Sequence, residues 1–185
     1  AEHLGVYDSQ VRGQEMLVDA GSLYNDNSAL LQTGRGMMDI RVRGVLDNKT
    51  GLIASDGGIF VTLQGDARPN GRWGTPGPLQ LTAGGRLTLG GAQFDAGQIR
   101  LEGAEIVNPA SSQMTGVHEL QLVATGPQGL LNEGVIEIID ANMGGVTSLT
   151  LTNVNVNLTQ AQIDALVQIL REPKNALIKQ YAKLF

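Results

Sequence analysis

Four copies of the triplet apolar-x-Asn restrict the fold of this chain more than any other feature. They are Leu23-Tyr24-Asn25, Leu46-Asp47-Asn48, Ile106-Val107-Asn108 and Leu130-Leu131-Asn132. The intervals between them are 23, 60 and 24 residues, so the long interval has room for three units of about 20 residues each. A unit of this length that returns at a steady interval is typical of a solenoid, in which each turn of the chain stacks on the previous turn.

Short segments that alternate apolar and polar residues follow the triplets. They cover residues 37–42, 59–63, 120–123 and 149–152, with three more in the long interval at 79–82, 87–89 and 99–102. Strict alternation indicates strands that bury one face. The Gly and Asn residues between these segments favour turns, because both residue types tolerate a positive φ.

The repeated order of triplet, turn and strand predicts an all-β fold, a parallel β-helix (β-solenoid) over residues 23–158. Residues 1–22 form a separate N-terminal segment in this interpretation. An antiparallel β-sandwich is the alternative, although its strands usually recur every 8 to 12 residues or so. An Asn at the corner of one turn can stack on the next and satisfy backbone groups left free by the bend. The predicted structural corner residues are therefore Asn25, Asn48, Asn108 and Asn132.

Residues 159–185 depart from the β pattern. Thr159-Gln160-Ala161-Gln162 has the form of a capping box, which starts a helix. Apolar residues at helical spacing follow it, and a second short stripe comes later; the members are Ile163, Leu166, Val167, Leu170 and Tyr181. We predict amphipathic helices that cap the open end of the solenoid or dock on another subunit.

Two stretches resemble the repeats of filamentous-haemagglutinin-type exoproteins. They are Leu46-Asp47-Asn48-x-x-Gly51-x-Ile53-x-Ser55-x-Gly57 and Leu79-x-Leu81-Thr82-Ala83-Gly84-Gly85-x-Leu87-Thr88-Leu89. That family comprises bacterial two-partner-secretion adhesins and the stalks of contact-dependent inhibition systems. The resemblance covers residues 23–155 and implies a right-handed parallel β-helix on a secreted or cell-surface protein. The N-P-N-G and N-P-N-L motifs of the family's secretion domain do not occur, so the resemblance is to the repeat region.

Composition excludes several classes of function. The net charge is −5 and no cluster of Lys and Arg is present, which argues against binding to nucleic acid. The chain has no cysteine, so it has neither disulfides nor thiolate metal sites. No apolar run approaches the roughly 20 residues of a membrane span, so we expect no membrane insertion. No cofactor and no metal are expected.

A β-helical enzyme acting on polysaccharides is an alternative, because such an enzyme needs carboxylates held about 5–10 Å apart. Glu133 and Glu137 have a spacing that lets them share a face of a strand, with Asp140 near them. The histidines, His3 and His118, are far apart in the sequence. We interpret these acids as a solvated polar face and predict that the chain is not an enzyme.

Residues 66–78 form the candidate binding loop. They carry three of the six prolines together with Arg68, Arg72 and Trp73, the only tryptophan. An exposed indole beside two guanidinium groups suits stacking on a sugar or contact with an acidic partner. The alternative is that Trp73 folds back and covers the side of the solenoid.

These features predict an extracellular structural or adhesive module of a bacterial surface protein. Ala1-Glu2 has the form of a mature end left by signal-peptide cleavage, which fits export, although an expression boundary looks the same. The alternative is a self-assembling subunit of an extracellular filament or pilus-like fibre. The expected partners are other copies of the chain or a ligand on a host or cell surface, with a glycan among the candidates.

Overall fold

The structure is a computed structural model that describes residues 2–110, 113–117, 119–139 and 148–152. Every strand pair within these residues is parallel, which excludes the antiparallel β-sandwich. The strands stack into a β-solenoid of about six turns, so the predicted fold class is confirmed.

Sixteen strands lie in the described residues. They are β1 (His3–Tyr7), β2 (Gln10–Gly13), β3 (Leu17–Ala20), β4 (Ser22–Asp26), β5 (Ala29–Gln32), β6 (Met37–Val42), β7 (Leu46–Asp47), β8 (Leu52–Ser55), β9 (Gly58–Leu63), β10 (Ala67–Arg68), β11 (Gly71–Thr88), β12 (Ala92–Asn108), β13 (Gln113–Val117), β14 (Glu119–Asn132), β15 (Val135–Ile139) and β16 (Ser148–Thr152).

The solenoid has three faces, and each face is one column of strands that are hydrogen-bonded from turn to turn. The first face contains β1, β4, β7 and β10; the second contains β2, β5, β8, β13 and β15; the third contains β3, β6, β9 and β16. The longer strands β11, β12 and β14 bend around corners and contribute to more than one face. Register shifts in β11, at Thr75/Pro78 and Ala83/Arg86, mark two such corners.

The core is a set of stacks in which the same inward position is apolar in successive turns. The clearest stack is on the third face and consists of Val18, Ile40, Val61, Leu81, Leu101 and Leu122. All six side chains are buried, and full burial of such a side chain contributes about 1.5–3 kcal/mol to folding. The alternation seen in the sequence is the direct result, because successive strand residues point to opposite faces.

The corner between the first and second faces is turned by residues with a positive φ. They are Asp8, Asn27, Lys49, Gly71 and Gly91. Glycine adopts this conformation without cost, and Asn or Asp adopts it more readily than other side chains. Asp8, Asn27, Gly71 and Gly91 are therefore suited to this corner.

The solenoid begins before the predicted boundary at residue 23. Strand β1 pairs with β4, and β2 and β3 pair with β5 and β6, so residues 3–20 form a complete first turn. This turn was not predicted, because Val6 occupies the register position that Asn25 occupies in the next turn. No apolar-x-Asn triplet therefore marks it.

The predicted helices over residues 159–185 lie outside the described residues. With them lie Ile163, Leu166, Val167, Leu170 and Tyr181. Within the part of the chain that the structure describes, no helix has the length and apolar character needed to cross a membrane.

Candidate functional site

The first and second faces meet at the asparagine corner, where Asn25 and Asn48 lie one above the other. Asn25 Nδ2 donates to Asn48 Oδ1 at 2.7 Å. Asn48 Nδ2 donates to the carbonyl oxygens of Gly51 at 3.1 Å and Asn70 at 2.8 Å. Both asparagines are buried. Their amides therefore add side-chain hydrogen bonds to backbone carbonyl groups at the bend.

The same arrangement returns at Asn108 and Asn132. Asn108 Nδ2 donates to Asn132 Oδ1 at 2.8 Å and to the carbonyl oxygen of Val135 at 3.1 Å. In the two turns between Asn48 and Asn108, the register position is occupied by Pro69 and Leu89. The four asparagines therefore form two separate pairs, Asn25 with Asn48 and Asn108 with Asn132.

The second and third faces meet at the hydroxyl corner, which is built from Gln32, Ser55 and Thr75. These side chains are only 2%, 4% and 6% exposed. Gln32 Nε2 donates to Ser55 Oγ at 3.3 Å and to the carbonyl oxygen of Gly36 at 2.7 Å. The Thr75 hydroxyl donates to the carbonyl oxygen of Gly57. A second buried polar column thus runs beside the apolar core.

The hydroxyl corner was not predicted, although the sequence carries a signal for it. The segments Gln32-Thr33-Gly34, Ser55-Asp56-Gly57 and Thr75-Pro76-Gly77 share the form polar-x-Gly at the same phase of the turn. In two of them the Gly amide donates back to the hydroxyl, at 3.1 Å for Ser55 and 3.2 Å for Thr75. This is the local turn that Ser and Thr favour.

An open cleft of about 530 Å³ lies on the second face, directly outside the hydroxyl corner. A single column of outward positions runs through it, one residue from each of five successive turns: Arg12, Leu31, Ala54, Gly74 and Asp95. Asp56 stands at the side of the cleft, and Ser55 lines it from below. The cleft therefore has a small apolar floor and a charged rim.

Because Gly74 has no side chain, the space above the floor of the cleft stays open at this position. The backbone conformation does not require a glycine there. Its φ is not in the positive region. A Cβ at this position would meet only Ala54 Cβ, at the ordinary contact distance of 3.9 Å. Glycine within a strand costs roughly 0.5–1 kcal/mol relative to alanine. Such a glycine often marks a place where a ligand or another backbone approaches closely.

Five ion pairs lie elsewhere on the described surface. They are Arg41–Asp39, Arg43–Asp19, Lys49–Asp26, Arg86–Glu105 and Arg100–Glu102.

The electrostatic effect of pairing is clear at Lys49 and Asp26. The hydrogen bond from Lys49 holds the pKa of Asp26 below its usual value, and Asp26 in turn raises the pKa of Lys49. In contrast, Arg12, Asp56 and Asp95 at the cleft have no ion-pair partner among the residues that the structure describes. Their charges remain available to a ligand.

The predicted binding loop over residues 66–78 is not a loop. Strand β10 and the start of β11 run through it. Trp73 is 1% exposed, its Nε1 donates to the carbonyl oxygen of Pro69 at 2.8 Å, and its ring stacks on Phe94 with centroids 6.2 Å apart. The indole fills an inward position, so it cannot stack on a sugar. Arg68 and Arg72 are exposed on the first and second faces.

The acids considered for polysaccharide chemistry lie at the C-terminal end of the described residues. Glu133 is exposed after β14, and Glu137 lies on β15. Asp140 and His118 are outside the described residues, and His3 is exposed on β1. Within the described residues, no group of three or more His, Cys, Asp or Glu side chains is arranged to hold a metal ion.

No family model matches this chain, and no solved structure matches it significantly. The features that bear on function are therefore those of the solenoid itself. They are the register of its turns, its two buried polar corners, and the cleft on its second face.

Proposed function

We propose that this chain is a non-enzymatic structural and adhesive module of a bacterial surface protein, exported to the outside of the cell. The observation that carries the proposal is the continuous register of the turns. Each of the three faces pairs in parallel from the first turn to the last described strands. Repetition of this kind produces length and a stiff outer surface, because each turn is held by its neighbours.

The two buried polar corners support a structural role. Separating the turns at Asn25 and Asn48, or at Gln32 and Ser55, exposes apolar core and also breaks side-chain hydrogen bonds that link the turns. A buried polar group left without a partner costs about 1–3 kcal/mol. The hydrogen bonds at the corners therefore raise the free energy of local opening above the cost of exposing the apolar core.

The outer surface supports an adhesive role. Strand geometry places equivalent outward side chains about 4.8 Å apart from one turn to the next. Each face therefore presents an ordered grid of side chains to a binding partner. The resemblance of the repeats to those of filamentous-haemagglutinin-type exoproteins supports a place at the bacterial surface.

The adhesive role is tested by displaying the chain on a non-adherent bacterium and measuring retention under flow. The surfaces are host epithelial cells and glass coated with polysaccharides. A helical domain of similar length, displayed in the same way, is the control. We expect cells that carry the chain to be retained at least about tenfold more often than control cells. Equal retention on every surface contradicts the adhesive role.

The structural role is tested by native-state hydrogen exchange. Amides of the central turns, in β8, β9 and β11, are expected to exchange only through global unfolding, and more slowly than those of β1 to β3. Fast exchange of the central turns through local opening contradicts a stiff module.

Assembly into a filament is a second candidate function, and one specific observation favours it. Among the described residues, β1, β2 and β3 pair only with the following turn, so their other edges have no strand partner. Val11 occupies an inward register position at this end, yet it is 45% exposed. A free strand edge over exposed apolar side chains is a surface to which another chain can add strands.

Sedimentation velocity and negative-stain microscopy across a range of concentrations test assembly. Fibres or ladders of oligomers are expected if the edges join. The matched variant Val11→Lys places a charge at the same edge and is expected to abolish them. A monomer at all concentrations contradicts assembly.

A further inference from the structure

We propose that the cleft on the second face binds a neutral oligosaccharide. This inference rests on the adhesive role proposed above and supplies its ligand class. The site consists of the floor at Ala54 and Gly74 and the polar groups of Arg12, Asp56 and Asp95 around it.

The volume of the cleft and the presence of a glycine at position 74 leave enough space for a ligand. At about 530 Å³ the cleft has the size of ordinary small-molecule sites. No backbone atom approaches the Cβ position of Gly74, so a larger residue fits there without disturbing the strand. Glycine thus weakens the strand at this position and keeps the floor open.

The polar groups of the cleft suit an array of hydroxyls. Arg12 offers only donors, whereas the ionised carboxylates of Asp56 and Asp95 offer only acceptors. A hydroxyl donates and accepts at once, so the hydroxyls of one sugar chain can satisfy both kinds of group. The apolar floor at Leu31 and Ala54 suits the C–H faces of the sugar rings.

Ser55 lies beneath the cleft, at an inward position of β8. It is 4% exposed and lines the cleft. Its Oγ accepts hydrogen bonds from Gln32 Nε2 at 3.3 Å and from the amide of Gly57 at 3.1 Å. These hydrogen bonds hold Ser55 in the hydroxyl corner, directly beneath the floor of the cleft.

The charges and the backbone favour a neutral glycan over other ligands. An anionic glycan would meet two carboxylates, Asp56 and Asp95, and a single cation, Arg12. An extended peptide is bound best along a free strand edge. The strands beneath the cleft already pair on both sides, since β8 lies between β5 and β11.

The test is an array of neutral oligosaccharides, printed beside anionic glycans and extended peptides, and probed with the intact chain. The affinity for the best neutral glycan is then measured by titration calorimetry. We expect Gly74→Leu to lower this affinity at least about tenfold, because it fills the floor. Asp95→Asn removes a charged acceptor and is expected to weaken binding while keeping the shape of the cleft. Thr62→Leu, at an outward position of the third face, is the matched control and is expected to bind as the unaltered chain does.

Circular dichroism and thermal melting establish whether each variant folds. If Gly74→Leu does not fold, the test uses Asp95→Asn alone. Binding only to anionic glycans or peptides overturns the proposal, as does undiminished binding by folded Gly74→Leu and Asp95→Asn. The proposal is also overturned if no neutral oligosaccharide on the array binds the chain. If cells that display the chain still adhere in that case, the cleft proposal fails while the adhesive role stands.

Discussion

The side-chain amide of Asn25 donates to the side-chain oxygen of Asn48 across 2.7 Å, between two neighbouring turns in the interior of the solenoid. This bond joins turns whose backbones are also linked by strand pairing on either side of the corner. Polar side chains therefore take part in holding the turns together, and the interior is not apolar throughout.

Replacing Asn48 is expected to destabilise the chain strongly. Asn48→Ala removes the acceptor of Asn25 and the side-chain donor to the carbonyl oxygens of Gly51 and Asn70. The expected loss is about 2–4 kcal/mol in the free energy of unfolding, measured with urea. Asn48→Asp keeps the shape but removes both donors, and is expected to be at least as harmful. Asn27→Gly, at an exposed position with φ of 49°, is the control and is expected to have little effect.

Val6→Asn tests the end of the same stack. The Oδ1 atom of Asn25 is buried and has no hydrogen-bond partner, and Val6 occupies the equivalent position in the turn before it. An amide at position 6 can donate to that oxygen in the direction that Asn25 donates to Asn48. Val18→Asn is the matched control, since Val18 is similarly buried in the same turn. We expect Val6→Asn to be less destabilising than Val18→Asn by about 1–3 kcal/mol. Equal losses would contradict the stacking geometry.

Two glycines are expected to respond in opposite ways to alanine. A Cβ at Gly65 would lie 2.5 Å from the carbonyl oxygen of Gly44 in the preceding turn. Gly65→Ala should therefore force the turns apart and lower the free energy of unfolding by about 1–3 kcal/mol. Gly74→Ala meets only Ala54 and is expected to be neutral or to stabilise by up to about 1 kcal/mol. Thermal melting of the two variants side by side measures the contrast.

Trp73 is expected to behave as a core residue. Its fluorescence should resist quenching by iodide and shift to longer wavelength only on unfolding, since it is the single tryptophan and is buried. Trp73→Ala removes the packing on Phe94 and is expected to cost about 3–5 kcal/mol. Quenching by iodide in the folded chain would contradict the inward placement.

The Lys49–Asp26 pair gives a prediction about pH. The pKa of Asp26 is lower in the folded chain than its ordinary value of 3.8, so its contribution to stability is present above that value and is lost as the pH falls through the folded pKa. The pKa of Lys49 is raised, so its contribution is lost only when the pH rises beyond the ordinary value of 10.5. Asp26→Asn should therefore reduce the fall in stability between pH 5 and pH 2 or so.

Urea unfolding across this pH range measures the effect, with Asp56→Asn as a control at a carboxylate that has no ion-pair partner among the described residues. Because both members of the pair are exposed, added salt is expected to diminish the effect. An unchanged pH profile for Asp26→Asn would show that the pair does not contribute.

Much of the fold follows from local sequence patterns. The strand at residues 37–42 was predicted with the bounds that the structure has, because alternation of apolar and polar residues depends only on which face of the strand is buried. The pairing of Asn25 with Asn48 also has a local cause. A bend leaves backbone groups free, and a short amide beside the bend satisfies them.

Residues 66–78 show where local patterns fail. Gly71, Gly74 and Gly77 interrupt the alternation there, and prolines usually indicate a loop. The neighbouring turns nevertheless hold this segment as strand, and they place Trp73 in the inward column of Leu30, Ile53 and Phe94. The direction of the indole was therefore decided by the register between turns.

The sequence alone determined the solenoid and its repeating unit. Each repeat contains its own alternation of apolar and polar residues and its own turn-forming residues. The first turn, the direction of Trp73 and the cleft depended on the tertiary structure. Arg12, Leu31, Ala54, Gly74 and Asp95 are separated by unequal numbers of residues, and they form one column only because the corners absorb the differences in length. A single turn contains no information about which outward residues of the other turns will stand beside its own.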